Sequence, residues 1–259
     1  MSLSIERIAL IETAIRESLR GKFKNYRPES NHMPFHHRLL GKDRMALYSF
    51  IHSLNTNFGA AIYEPVAAAL AETRFVKAQP QFVAGNQISE AAQNEIQDII
   101  NDLTMGKEAD KESEIERIRT VCQQGKMKKM KTVKIDLLIE DQTGSIFLFD
   151  LKTVKPNISN FKDFKRTLLE WCAIMLAKNA NLDIHSYIAI PYNPYEPKPY
   201  ERWTLKGMLD LKEEVKVAEE FWNFLGGDDT YTVLLDCFER VGIELRPEID
   251  RYFSRFAKS

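Results

Sequence analysis

Apolar residues recur every three to four positions through Ile5, Ile8, Leu10, Ile11, Ile15 and Leu19, which predicts an amphipathic helix over about Ser4 to Lys22. The polar stretch RPESNHMPFHHRLLGKD reads as a loop, and a second helix is expected over about Arg44 to Asn57. Gly59 breaks it, and Pro65 suits the first turn of a helix running to about Arg74. A short strand is expected around Gln81 to Val83, then helices over Ile88 to Leu103 and Glu108 to Gln123. The like-signed pair Asp110 and Glu114 marks the second of these as exposed. The period then shortens to two. Val133 to Glu140 and Ser145 to Thr153 read as strands, with the turn residues Asp141-Gln142-Thr143-Gly144 between them. After Pro156, any of Asn157, Ser159 or Asn160 can cap a helix to about Lys178. Its packed face is Phe161, Phe164, Leu168, Trp171, Cys172 and Met175, and Lys162, Lys165 and Arg166 lie off that face. A third strand, Ile184 to Ile190, precedes the loop PYNPYEPKPYERW. Helices are expected over Leu205 to Leu225, Thr230 to Val241 and Pro247 to Phe256, with Gly226-Gly227 and Gly242 as breaks. Parallel strands need a crossover, so strand–strand–helix–strand predicts an α/β fold. With no repeat, low-complexity tract or linker, residues 1–259 read as one domain with helical elaborations at both ends.

Composition narrows the class without naming it. Hydrophobic residues at 44% and charged residues at 28% are those of an ordinary soluble globular protein, and no apolar run reaches membrane-spanning length. The first helix carries acids and does not resemble a signal peptide. Cys122, Cys172 and Cys237 are far apart, which fits a reducing cytoplasm and argues against a zinc knuckle. His32, His36 and His37 invite a metal reading, but His36 and His37 are adjacent and would diverge in an extended loop. Net charge is −1, so bulk electrostatics do not announce a nucleic-acid binder. The charges are nonetheless segregated. Basic residues gather over Arg20 to Arg44, Lys126 to Lys134 and Lys152 to Arg166, whereas Glu90 to Glu116 carries nine acids. Lys128, Lys129, Lys131, Lys155, Lys162, Lys165 and Arg166 therefore stand as candidates to line a groove for a phosphate backbone. For any single lysine a solvated surface is the simpler reading. Tyr192 and Asn193, in the aromatic loop, are candidates to read bases, although that loop equally suits a dimer contact or a lid.

The chemistry concentrates on the predicted hairpin. Asp136, Asp150 and Lys152 stand in apolar strands, where a charge is costly unless it is paired, hydrogen-bonded or bound to metal. Asp150 and Lys152 share a strand face, with Leu151 on the other. A three-residue loop Gln142-Thr143-Gly144, with Gly144 left-handed, pairs Asp141 with Ser145 and so sets Asp136 opposite Asp150. Opposed carboxylates destabilise a hairpin unless something compensates them, and a hard divalent cation does.

Asp-x13-Asp-Leu-Lys on a hairpin resembles the PD-(D/E)XK nuclease core of many type II restriction endonucleases. The phrases FLFDLKTVKPNISNFKDFKRTLLEW and YIAIPYNP are similar, more narrowly, to the TdeIII/MjaII-type restriction endonucleases, over about the last half of the chain. Ile135 stands where the motif's name has proline. The resemblance implies a restriction-endonuclease-like core: a mixed sheet with a catalytic hairpin, a crossover helix and flanking helices. It implies Mg2+ held by Asp136, Asp150 and the Leu151 carbonyl, with Lys152 orienting the attacking water. Gly-Ala-Ala-Ile-Tyr-Glu-Pro resembles the element that leans a glutamate into the metal site, which makes Glu64 a fourth catalytic candidate; a helix-capping acid is the equal alternative. The implied partners are double-stranded DNA at a short palindrome such as GGNCC, a second copy of the chain, and a methyltransferase acting on the same site. A resolvase or repair nuclease on the same core, or a DNA-binding protein without activity, remain alternatives.

Overall fold

The computed structural model describes residues 3–26, 33–152, 161–200 and 207–257. A five-stranded sheet in the order β1-β2-β3-β4-β5 forms its centre. The strands are β1 Lys77–Ser89, β2 Met127–Glu140, β3 Ile146–Leu151, β4 Ile184–Ile190 and β5 Val215–Val217. Strands β1, β2 and β3 run antiparallel in succession, whereas β3, β4 and β5 are parallel. Helix α7, Phe161–Lys178, supplies the crossover from β3 to β4.

Both faces of the sheet are covered, and the sequence alternates accordingly. On one face Leu138, Leu148 and Ile188 pack with Ile96, Ile118 and Leu168 of α5 (Glu90–Thr104), α6 (Lys111–Val121) and α7. On the other, Leu137, Ile139, Phe149 and Ala189 meet Ile11, Val66, Phe221 and Leu245. Those four come from α1 (Ile5–Asn25), α4 (Glu64–Ala71), α8 (Glu219–Gly226) and α9 (Thr230–Ala257). Each fully buried side chain of this kind contributes about 1.5–3 kcal/mol relative to exposure. Helices α1 and α9 run parallel, joined by a ladder of constant offset: Glu12–Arg240, Arg16–Glu244 and Arg20–Glu248.

Several elements differ from the sequence expectation. The segment read as a loop contains α2, Pro34–Leu40, before α3, Lys42–Phe58. Strand β1 spans 13 residues rather than three. It lies at the sheet edge, where Pro80 costs no ladder bond, and its composition of Gln, Asn and Gly gave little β signal. The lysine-rich lead into the hairpin is itself strand, paired Gln87 to Lys129 and Ile88 to Lys128. Residues 207–218 contain turns and β5 rather than helix, because β4 takes up their backbone: Ile188 N–H donates to Glu214 O, and Ala218 N–H to Ile190 O, both at 2.8 Å. The tail is one helix through Gly242 and Pro247. Proline removes one helical donor, but the ion pairs at Glu244 and Glu248 tie α9 to α1 on both sides of it. Finally, α6 is not an exposed helix. Lys111, Glu114, Ile115 and Ile118 are buried.

Candidate active site

The hairpin turn is built by Asp141. Its carboxylate accepts the N–H groups of Thr143 and Ser145 at 2.8 and 3.0 Å, and Gly144 takes φ +85°, which permits the three-residue loop. The ladder beyond it pairs Glu140 with Ile146, Ile139 with Phe147, Leu138 with Leu148 and Leu137 with Phe149. One further step in that register sets Asp136 opposite Asp150. On the far side, Asp150 pairs with Ile188, and the Lys152 N–H donates to Ala189 O at 3.0 Å. The last residues of β3 are thus fixed from both neighbours.

Asp150 is buried, and its Oδ1 lies 2.6 Å from the Lys152 ammonium. Its Oδ2 is buried with no hydrogen-bond donor among the described residues. The same ammonium sits 4.7 Å from the centre of the Phe164 ring, a cation–π contact from α7. Asp136 accepts the Leu151 N–H at 2.9 Å. Burial, then the negative charges of Asp150 and Glu64, push the Asp136 carboxyl up to about 7. Glu64 opens α4 directly after a π-helical turn, Gly59–Tyr63, an irregularity that often marks a functional site. It is 5% exposed, so it does not act as a solvated capping acid. Burial raises its pKa, the Asp150 charge raises it further, and a 2.6 Å hydrogen bond from the Gln81 amide opposes both. A Cβ at Gly59 would stand 3.9 Å from the Leu151 carbonyl, an ordinary contact, which puts the π-helical turn beside that oxygen.

Oxygen ligands, an orphaned buried carboxylate atom and mutual repulsion among Asp136, Asp150 and Glu64 fit a hard divalent cation. No three His, Cys, Asp or Glu side chains among the described residues converge as a preformed metal cage, His36 and His37 included. A sparse set of this kind suits an ion that keeps water and phosphate among its ligands.

The candidate DNA contacts divide. Lys129, Lys131 and Lys162 are exposed, as is Lys128, which pairs with Glu90 at 2.8 Å. Arg166 is half-buried and donates to Gln97 at 2.7 Å. Tyr192 is exposed, whereas the Asn193 amide braces its own loop, donating to Lys198 O and accepting Tyr195 N–H. Lys155 lies outside the described residues. Lys165 corrects the expectation outright. It is fully buried on the packed face of α7, its ammonium held by Glu114 and, at 2.6 Å, by Glu214. Lys111 binds the other Glu214 oxygen at 2.8 Å. Two lysines and two glutamates neutralise one another there, out of reach of DNA. Gln81 and Phe164 are the site neighbours that sequence reasoning missed. Phe164 reads as a core aromatic, and nothing local distinguishes Gln81 from other polar strand residues.

A mixed sheet with a parallel crossover, helices on both faces and a lysine beside paired carboxylates on its hairpin is consistent with a restriction-endonuclease-like fold. The chain belongs to the HinfI family of type II restriction endonucleases, whose model matches residues 3–242. It is 26% identical to the type II restriction enzyme HgiCII of Herpetosiphon aurantiacus over 223 residues, 84% of this chain and 80% of that protein. HgiEI of the same organism is 26% identical over 221 residues, 83% of this chain and 79% of that protein. MjaII of Methanocaldococcus jannaschii is 26% identical over 219 residues, 76% of this chain but 55% of that longer protein. Enzymes of this class are site-specific deoxyribonucleases acting on double-stranded DNA, and they generally need a divalent metal. Among the described residues no helix is long and apolar enough to cross a membrane.

Proposed function

We propose that the protein hydrolyses both strands of DNA at a short palindromic site, with Mg2+ as the cofactor. The observation that carries this reading is the cluster of Asp136, Asp150 and Lys152 at the end of the hairpin, with Glu64 buried beside it. Asp136, Asp150 and the Leu151 carbonyl would hold the cation, and Glu64 would add a third carboxylate to the same field. When bound, the cation supplies Lewis acidity toward the phosphate and lowers the pKa of water. Lys152, held by Asp150 and Phe164, orients the attacking water and offsets charge developing on the phosphate oxygens. Burial and its acidic neighbours raise the Asp136 pKa to about 7, so a cation held there would compete with a proton.

Lys128, Lys129, Lys131, Lys162 and Arg166 offer charge to the phosphate backbone, and Tyr192 and Asn193 place the aromatic loop against base edges. The recognition site is a short interrupted palindrome of the GGNCC kind, protected in the cell by a methyltransferase that modifies the same sequence. A homodimer fits a palindrome, since two-fold-related sites then address the two strands. Incubation with intact plasmid, with and without Mg2+, tests the whole reading. Discrete fragments that require Mg2+ are expected. A chain that binds DNA but cuts nothing in any divalent metal would overturn it.

A further inference from the structure

We propose that Gln81 is a positioning residue of the cation site: its side-chain amide holds the buried Glu64 carboxylate toward Asp136 and Asp150. Three independent features of the structure meet at this residue. The register of β1 against β2 pairs Pro80 with Leu137 and Phe82 with Ile135, which brackets Gln81 directly opposite Asp136. Its Nε2 donates to Glu64 Oε2 at 2.6 Å, a short charge-assisted bond that crosses from the sheet edge to the first residue of α4. Its backbone takes φ +50° within a strand, where both neighbours in the ladder keep their register. An L side chain rarely adopts that conformation, and residues held in it gather at functional sites because the surrounding structure over-determines them.

The strain and the hydrogen bond explain each other. Opposite Asp136, residue 81 shares that residue's face of the sheet, and at φ +50° its amide reaches the carboxylate at the start of the neighbouring helix. Gln81 is exposed while Glu64 is buried, so the amide stands at the mouth of the site and Glu64 behind it. An amide is the group suited to this position. A lysine there would neutralise the carboxylate that the cation needs, and an acid would add to the repulsion already present among three carboxylates. The amide fixes the oxygen without changing the charge.

The inference rests on the proposed cation-dependent site, and the experiment separates the two. Gln81→Gly removes the amide and relieves the backbone, since glycine tolerates positive φ. Gln81→Asn keeps an amide and tolerates left-handed geometry, but is one methylene too short to reach Glu64. Two quantities are measured without DNA: the melting temperature of the metal-free protein, and Mg2+ affinity by isothermal titration calorimetry. Gln81→Gly should melt at or above the parent temperature yet bind Mg2+ about tenfold more weakly, the usual cost of losing a partner behind a metal ligand. Gln81→Asn should also bind about tenfold more weakly. Parental Mg2+ affinity in Gln81→Asn overturns the inference, whatever happens to the stability of Gln81→Gly. So does a Gln81→Gly protein that loses stability and keeps its affinity, since the residue is then only a structural brace. A parent that binds no Mg2+ in this assay, and cuts no plasmid in its presence, removes the proposed function itself.

Discussion

At the residue scale the informative group is Asp136. Its carboxyl is pushed up to about 7 in the folded protein from an ordinary value of 3.8, by burial and by its acidic neighbours. Between those two values the folded chain keeps a proton that the unfolded chain has already lost. Stability therefore falls as pH rises through this window, by linkage. The metal-free protein should melt at a lower temperature at pH 8 than at pH 6, and Asp136→Asn should remove most of that slope. A scan of melting temperature against pH for the two proteins decides it, and equal slopes would contradict the assignment. Mg2+ should stabilise the parent more at pH 8 than at pH 6, because it competes with that proton. Asp150→Ala gives a second expectation. It should abolish cleavage while leaving metal-free DNA binding intact or tighter, since one carboxylate facing phosphate is gone. Lys152→Ala should also stop cleavage but weaken binding modestly, as an attraction is lost. Plasmid cleavage and filter binding read both, with circular dichroism to check folding. An Asp150→Ala protein that still cuts at the parental rate would remove Asp150 from the chemistry.

At the element scale, helix α7 divides the roles of its lysines. Lys165 reads with Lys162 and Arg166 as lying off the Phe161, Leu168 and Met175 stripe, but four residues after Phe161 and three before Leu168 it falls on that stripe, and it is buried there. Its burial depends on Glu114 from α6 and Glu214 ahead of β5, residues 51 and 49 positions away in sequence that no local pattern connects to it. Burial works against Glu214, but Lys111 and Lys165 hold its carboxyl below the usual range, and burial raises Glu114. Lys165→Met should leave two acids facing each other in the core and cost about 3–5 kcal/mol of unfolding free energy. Lys162→Ala should leave stability unchanged within about 0.5 kcal/mol and weaken DNA binding with a reduced salt slope. Denaturant melts and salt-dependent binding distinguish the two, and a Lys165→Met protein of parental stability would break the account of α7. The same logic explains what was legible in the elements. The boundaries of β4 and the start of α1 were readable because period and caps are local. The length of β1 and the existence of β5 were not, because β2 and β4 supply the ladders that make those residues strand.

For the whole molecule, the strand–strand–helix–strand unit followed from hydrophobic period and from the rule that parallel strands need a connection, whereas the five-strand order, with β1 at one edge and β5 at the other, did not. The hairpin register was legible for a particular reason: Gly144 and Asp141 fix the loop length, and a two-residue period carries the count outward. Glu64 was half legible, since the π-helical turn before it and the hydrogen bond from Gln81 of β1 are products of the fold rather than of local pattern. All four carboxylate and lysine groups of the candidate site come from one chain, so under the proposed function each copy would carry its own set, and a homodimer would bring two sets to the two strands. Dimers formed from one parental and one Asp150→Ala subunit, co-expressed with different tags and purified through both, therefore test the proposed assembly. They should nick supercoiled plasmid to the open circle and stall there, because the partner site cannot cut the opposite strand. Parental dimers should pass to the linear form with little open circle accumulating. Linear product from the mixed dimer at the parental rate would mean that one site turns over on both strands in succession, and the two-site arrangement would have to be abandoned.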